Sequence, residues 1–432
     1  MTAGRARQRQ PQRKRMHLAV HFPGAGGATV WADPRAGSRT DFASFHHLAA
    51  TAERGLFDFF LLSEGPRPRE HKGRIHDLDA VGRPEPVTVL SALAAVTERI
   101  GLAAAVGTAF HEPYELARRL ASLDHLSSGR AAWNVVTSSD DASTGANFRR
   151  GGLDRADPYA RADEFVATAR ELWDSWTPGG VPRPFAHHGR HFSVSGTFDV
   201  ARGPQGRPVV IRAGDSGEER ESAASSADVI LAGHGPVEAG QALCADVKGR
   251  LAAYGRRPEE LKVMQGVTFV LGDTDAEAQE NAAEIRKQQV SPQKALFAVE
   301  RVWGRDLSGY DPDGPLPAVD PDPAVAGSLA VAARWRAVAE AKGLSLRQTV
   351  IEVTGRQSFI GTPASVAAQL DEYVTAGATD GFVLVPHLVP GGLDDFADRV
   401  VPLLQERGAF RTEYAGATLR EHLGLPLPVW KG

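Results

Sequence analysis

At 432 residues the chain exceeds one minimal domain and suits either one large α/β barrel with insertions or two ordinary domains. Its 42% hydrophobic and 24% charged content is that of a globular protein, and a net charge of −4 gives no reason to expect nucleic acid. A single cysteine, Cys244, excludes an intrachain disulfide, and no apolar run is long enough to cross a bilayer, so a cytoplasmic protein without membrane partners is expected.

Residues 1–15 are basic and lack apolar periodicity, which predicts a disordered leader ahead of a fold that starts at residue 16. HLAVHF (17–22) reads as a strand, followed by a helix from Asp41, a candidate N-cap, to Glu53. LFDFFLL (56–62) is the nearly continuous apolar run of a strand buried on both faces. A helix from Pro86 to Glu98, a third strand IGLAAAVGTAF (100–110), a helix from Pro113 to His125 and a fourth strand GRAAWNVVTS (129–138) come next. After a Gly/Asp/Ser-rich loop, a helix runs from Pro158 to about Trp176, and residues 183–199 form an inserted surface hairpin.

Strands five to seven are RPVVIRAG (207–214), ADVILAG (227–233) and LKVMQGVTFVLG (261–272), with helices at 236–253 and 274–290. Residues 291–345 fit no strand–helix unit and are expected to form an insertion, a lid or substrate wall. A helix at 365–377, an eighth strand DGFVLVPH (380–387) and a helix at 394–408 complete the pattern. Eight alternating units favour a closed (β/α)₈ barrel over an open doubly wound sheet, and no GxGxxG fingerprint follows the first strand.

In such a barrel, chemistry gathers where strands end and helices have not yet begun. Those positions hold His21, Ser63, Thr108, His111, Asn134, Thr137, Tyr159 and the turn AGDSGEE (213–219). That turn, with Asp215, Ser216 and Gly217, has the small residues, hydroxyl and free N–H groups of a phosphate cradle, or equally of a plain N-cap. Asn134 and Thr137 offer groups suited to a flat heteroaromatic ring, or to loop backbone. His46 and His47 diverge on a helix, and His187, His188 and His191 lie in the hairpin with no acidic partner evident, so no metal site is expected. Cys244 reads as packing.

The stretch EPVTVLSALAAVTERIGLAAAVGTAFHEPYELARRLASLDHLSSGRAAWNVVTS (85–138) resembles the bacterial luciferase-like flavin monooxygenases. YARADEF (159–165), GRPVVIRAGDSG (206–217), GTPASVAAQLDEYVTAGATDGFVL (361–384) and PGGLDDFADRVVPLLQERGAFRTEY (390–414) extend the likeness, more narrowly to the nitrilotriacetate and dibenzothiophene-sulfone monooxygenase branch. The resemblance implies noncovalent FMN, reduced by a separate flavin reductase, reacting with O₂ to give a C4a-(hydro)peroxide that oxidises a small organic substrate. By motif position it carries flavin contacts to Glu64, Thr108, Asn134, Tyr159 and Ser216, with Asp215 and Gly217 in the same phosphate loop. Arg155 stands where many relatives have His and supplies a fixed cation for phosphate or an acidic substrate. His111 and His21 are the candidates for proton handling. A homodimer or homotetramer is implied too. The alternatives are a deazaflavin-dependent oxidoreductase of the same superfamily and a non-catalytic flavin-binding protein.

Overall fold

A computed structural model describes residues 14–22, 28–63, 84–137, 158–354 and 357–430. The expected leader up to residue 13, residues 24–27 of the first loop, Glu64 and Arg155 lie outside them.

Strands β1 (His17–Phe22), β2 (Phe59–Ser63), β3 (Gly101–Gly107), β4 (Ala131–Val136), β7 (Val209–Ala213), β8 (Val229–Gly233), β9 (Lys262–Val267) and β12 (Gly381–Leu384) close into a parallel barrel. The order around it is β1-β12-β9-β8-β7-β4-β3-β2. This is the predicted (β/α)₈ barrel. Hairpin strands β5 (Pro184–His188) and β6 (Ser193–Thr197) pair antiparallel outside it.

The helices that matter below are α1 (Phe42–Arg54), α2 (Pro86–Ala94), α3 (Pro113–Leu126), α4 (Pro158–Asp174), α5 (Gly217–Ser226), α6 (Val237–Arg250), α7 (Asp275–Gln289), α8 (Pro292–Trp303), α9 (Ser328–Lys342), α10 (Leu346–Val353) and α11 (Pro363–Thr375). Asp41 does precede α1, but its side chain makes no capping bond. At α2 the carboxylate of Glu85 accepts from the Val87 and Thr88 N–H groups at 3.1 and 2.8 Å, and Pro86 starts the first turn.

The apolar run 261–272 is not one strand. Its barrel part ends at Val267, and β10 (Phe269–Leu271) leaves the barrel to pair in parallel with β11 (Phe359–Gly361). Apolar residues continue past Gly266 and Thr268 on both sides, so the run carries no clear mark of where the chain changes partner. Residues 291–353 fold as α8, α9 and α10 around their own core of Val299, Trp303, Trp335, Leu346 and Val350.

Barrel residues alternate between two buried layers. Inward lie Ala19, Phe59, Leu61, Ala103, Ala105, Ala132, Val209, Ile211, Val229, Met264 and Val383. Outward, Phe60, Leu62, Leu102, Val106 and Trp133 pack against Leu48, Leu90, Leu116 and Phe165 of the helices. At the bottom, Leu419, Leu423 and Leu425 of the C-terminal segment join the inward layer and plug it.

Three buried aspartates recur immediately before strands. Asp58 accepts the Leu18 N–H at 2.9 Å, Asp228 the Val210 N–H at 2.9 Å and Asp380 the Val263 N–H at 2.8 Å. Each is paired: Asp58 with Arg411 and His17, Asp228 with Arg420 at 3.1 Å, Asp380 with Lys14 at 2.7 Å and Lys248 at 2.8 Å. Lys14 thus belongs to the barrel floor although the leader was expected to include it. Burial pushes these carboxyls up, but their cations win and hold them below the usual range, Asp380 at about 2.

Candidate active site at the barrel mouth

Period-two alternation carries the inward face of β1, β2 and β4 upward to His21, Ser63 and Asn134 at the C-terminal ends. His21 Nε2 and Ser63 Oγ lie 2.8 Å apart, linking the first two strands across the mouth. Asn134 is 8% exposed, and its Oδ1 has no hydrogen-bond partner. A buried acceptor left unmade costs about 1–3 kcal/mol, so this oxygen has room in its bonding for a donor.

Thr108, just past β3, is buried. Its N–H donates to the Val136 carbonyl at 3.0 Å, its hydroxyl reaches the same oxygen at 3.4 Å, and its own carbonyl accepts from Arg161 at 3.5 Å. Thr137 is half-buried one residue beyond β4. His111 precedes α3, with Nδ1 3.9 Å from Glu115 Oε2. Strand β2 stands between the strands that carry His21 and His111, so the structure places the two histidines on different parts of the rim.

The β7–α5 turn joins the other predicted residues. Gly214 has φ +149°, and a Cβ there would fall 2.2 Å from the Glu219 carboxyl carbon, so only glycine fits. Ser216 caps α5: its Oγ accepts the Glu219 N–H at 3.2 Å. Glu219 Oε2 in return accepts the N–H groups of Asp215 and Ser216 at 2.8 and 2.9 Å. Tyr159, from α4, donates its hydroxyl to Glu219 Oε1 at 3.4 Å. Asp215 turns the other way and accepts the Gly233 N–H at 3.2 Å, while Gly217 faces open space.

The turn is therefore a plain capping box, in which the N–H groups of Asp215 and Ser216 hold a carboxylate from the protein itself. Burial raises the Glu219 carboxyl, but the donors from Ser216, Asp215 and Tyr159 outweigh it and keep it low. Burial and the Glu219 charge push the Tyr159 phenol up. Glu219 was absent from the sequence-based candidates, although Ser216 and Glu219 have capping-box spacing.

The hairpin histidines need a correction. His187 does have acidic partners, lying between Glu171 at 3.0 Å and Glu164 at 3.3 Å, both from α4. They were invisible locally because α4 precedes the hairpin and packs beside it. Among the described residues no three His, Cys, Asp or Glu side chains are grouped to hold a metal, and no described helix is long and apolar enough to cross a membrane.

Around the barrel, the turn after β7, Asn134 on β4, Thr108 after β3, Ser63 on β2 and His21 on β1 occupy one contiguous arc. The arc thus runs from polar rim groups and a buried acceptor without a partner to a turn whose N–H groups face a carboxylate.

The family model for luciferase-like monooxygenases matches residues 18–380. N-acetyl-S-(2-succino)cysteine monooxygenase of Bacillus subtilis (strain 168) is 39% identical over 443 residues, covering 97% of this chain and 98% of that protein. Nitrilotriacetate monooxygenase component A of Aminobacter aminovorans is also 39% identical, covering 96% and 97%. Among solved structures, riboflavin lyase with modified FMN and riboflavin superposes with a TM-score of 0.78 at 27% identity, covering 97% of this chain and 98% of that one.

Proposed function

The chain belongs to the luciferase-like monooxygenases, which are flavin-dependent enzymes, and from that premise we propose that it is the oxygenase of a two-component system. It receives reduced FMN from a separate flavin reductase and uses O₂ to oxidise a small organic molecule. The observation that carries this reading is the unpartnered Oδ1 of buried Asn134, in the same arc as the Ser216 turn.

Bound flavin would supply the oxygen activation. Asn134, Thr108 and Thr137, with Glu64, hold the ring. Tyr159, Ser216, Asp215 and Gly217, with Arg155, hold the phosphate. The His21–Ser63 pair can keep or pass a proton between Nε2 and Oγ at the inner rim, and His111 serves the outer rim. The two relatives are named for N-acetyl-S-(2-succino)cysteine and nitrilotriacetate, which points to organic acids as substrates. A homodimer or homotetramer in the cytoplasm completes the proposal.

The test supplies FMN, NADH and a flavin reductase, then follows oxygen uptake and product across a panel of thioether and amino acids. Product that requires both FMN and O₂ supports the reading. Equal turnover with a reduced deazaflavin under anaerobic conditions, or failure to bind FMN, would end it.

A further inference from the structure

The arc of proposed flavin residues leaves β9, β12 and the far side of β1 unassigned at the mouth. A cavity of about 390 Å³ opens there, between the end of β9, the β1–α1 connection and helices α7, α8 and α10. Thr268, Arg286, Lys294, Val350, Ile351 and Gln357 are among the residues that line it. The volume suits a small organic molecule.

Its chemistry is one-sided. Arg286 and Lys294 bring two cations, and no carboxylate lines the cavity among the described residues. Arg286 Nε is buried without a hydrogen-bond partner. Gln357 is 8% exposed, and both its Nε2 and Oε1 lack partners. A buried primary amide with neither end satisfied is costly, so the ligand should bring an acceptor for Nε2 and a donor for Oε1. Val350 and Ile351 supply an apolar wall.

We propose that this cavity binds the substrate through its carboxylate: a small organic acid with a neighbouring N–H or O–H and a short apolar body. Arg286 takes the carboxylate, and Gln357 reads the adjacent polar group. Calling the ligand a substrate rests on the oxygenase reading; the binding site itself does not.

Calorimetric titration of the full chain with N-acetylmethionine and with its methyl ester tests the proposal, since esterification removes the carboxylate charge at the cost of one added methyl group. The acid should bind at least about tenfold more tightly than the ester. Arg286→Met should remove most of that preference while leaving ester binding within about twofold, and Arg286→Lys should restore part of it. Gln357→Leu should weaken acid and ester together, since both carry the amide N–H. A cooperative thermal unfolding transition in each variant, at the parent's midpoint, checks that the fold survives. Equal affinity for acid and ester, no binding of either, or an Arg286→Met effect shared by both overturns the site. A chain that prefers the acid but does not bind FMN keeps the site and loses the oxygenase reading.

Discussion

Glu219 and Ser216 hold each other: the Ser216 Oγ accepts the Glu219 N–H at 3.2 Å, and Glu219 Oε2 accepts the Ser216 N–H at 2.9 Å. The same carboxylate occupies N–H groups that the proposed function assigns to the flavin phosphate, so on that proposal the two anions compete. Glu219→Gln keeps the capping geometry without the charge. It should tighten FMN binding about threefold to tenfold and leave riboflavin unchanged, read by flavin fluorescence quenching. Equal effects on both flavins would place the phosphate elsewhere. Ser216→Ala should instead lower stability by about 1 kcal/mol.

Asn134 offers a different separation. Its orphan oxygen weakens the flavin-free protein, so Asn134→Leu should leave thermal stability unchanged or higher. Flavin affinity should fall by roughly 1–2 kcal/mol because the ring loses its partner. A variant that lost both together would show the residue to be structural only.

Acid should act through the barrel floor. Asp58, Asp228 and Asp380 have folded-state values below the usual one, with Asp380 at about 2. Their stabilisation is present above the unfolded-state value of about 4 and is lost as pH falls through the folded values. Denaturant midpoints should therefore drop steeply between about pH 4 and pH 2. Asp380→Asn should flatten that slope while lowering stability at pH 7, because Lys14 and Lys248 lose their partner.

Asp124 works with the opposite sign. Burial raises its carboxyl to about 6, and its hydrogen bonds from Gln205 and Ala131 only partly offset this. Its contribution is full below the unfolded value near 4 and lost as pH rises through about 6. Asp124→Asn should stabilise the protein at pH 8 by roughly 1–3 kcal/mol and give no gain at pH 4, measured by chemical denaturation.

The barrel was legible because strand and helix periods alternate so regularly from His17 to Leu384. Boundaries were less so. The run from Leu56 begins with a left-handed turn, φ +60° at Leu56, so the strand starts at Phe59. The Ser216 turn announced itself by composition, and Tyr159 joined it only through resemblance. Gln357, Arg286 and Lys294 could not be grouped from sequence. They come from two helices and the loop before β11, and no local spacing encodes a wall assembled that way.

The plug beneath the barrel also has a consequence for synthesis. Asp58 finds its arginine 353 positions later, at Arg411, and Asp228 waits 192 positions for Arg420. A chain still emerging from the ribosome can pair most of its strands before either cation exists. Such an intermediate has Asp58 beside His17 but without Arg411, and Asp228 near Arg170 but without Arg420, over an open floor lined by Phe59, Val209 and Val229. Exposed surface of that kind draws chaperones and proteases until the tail arrives.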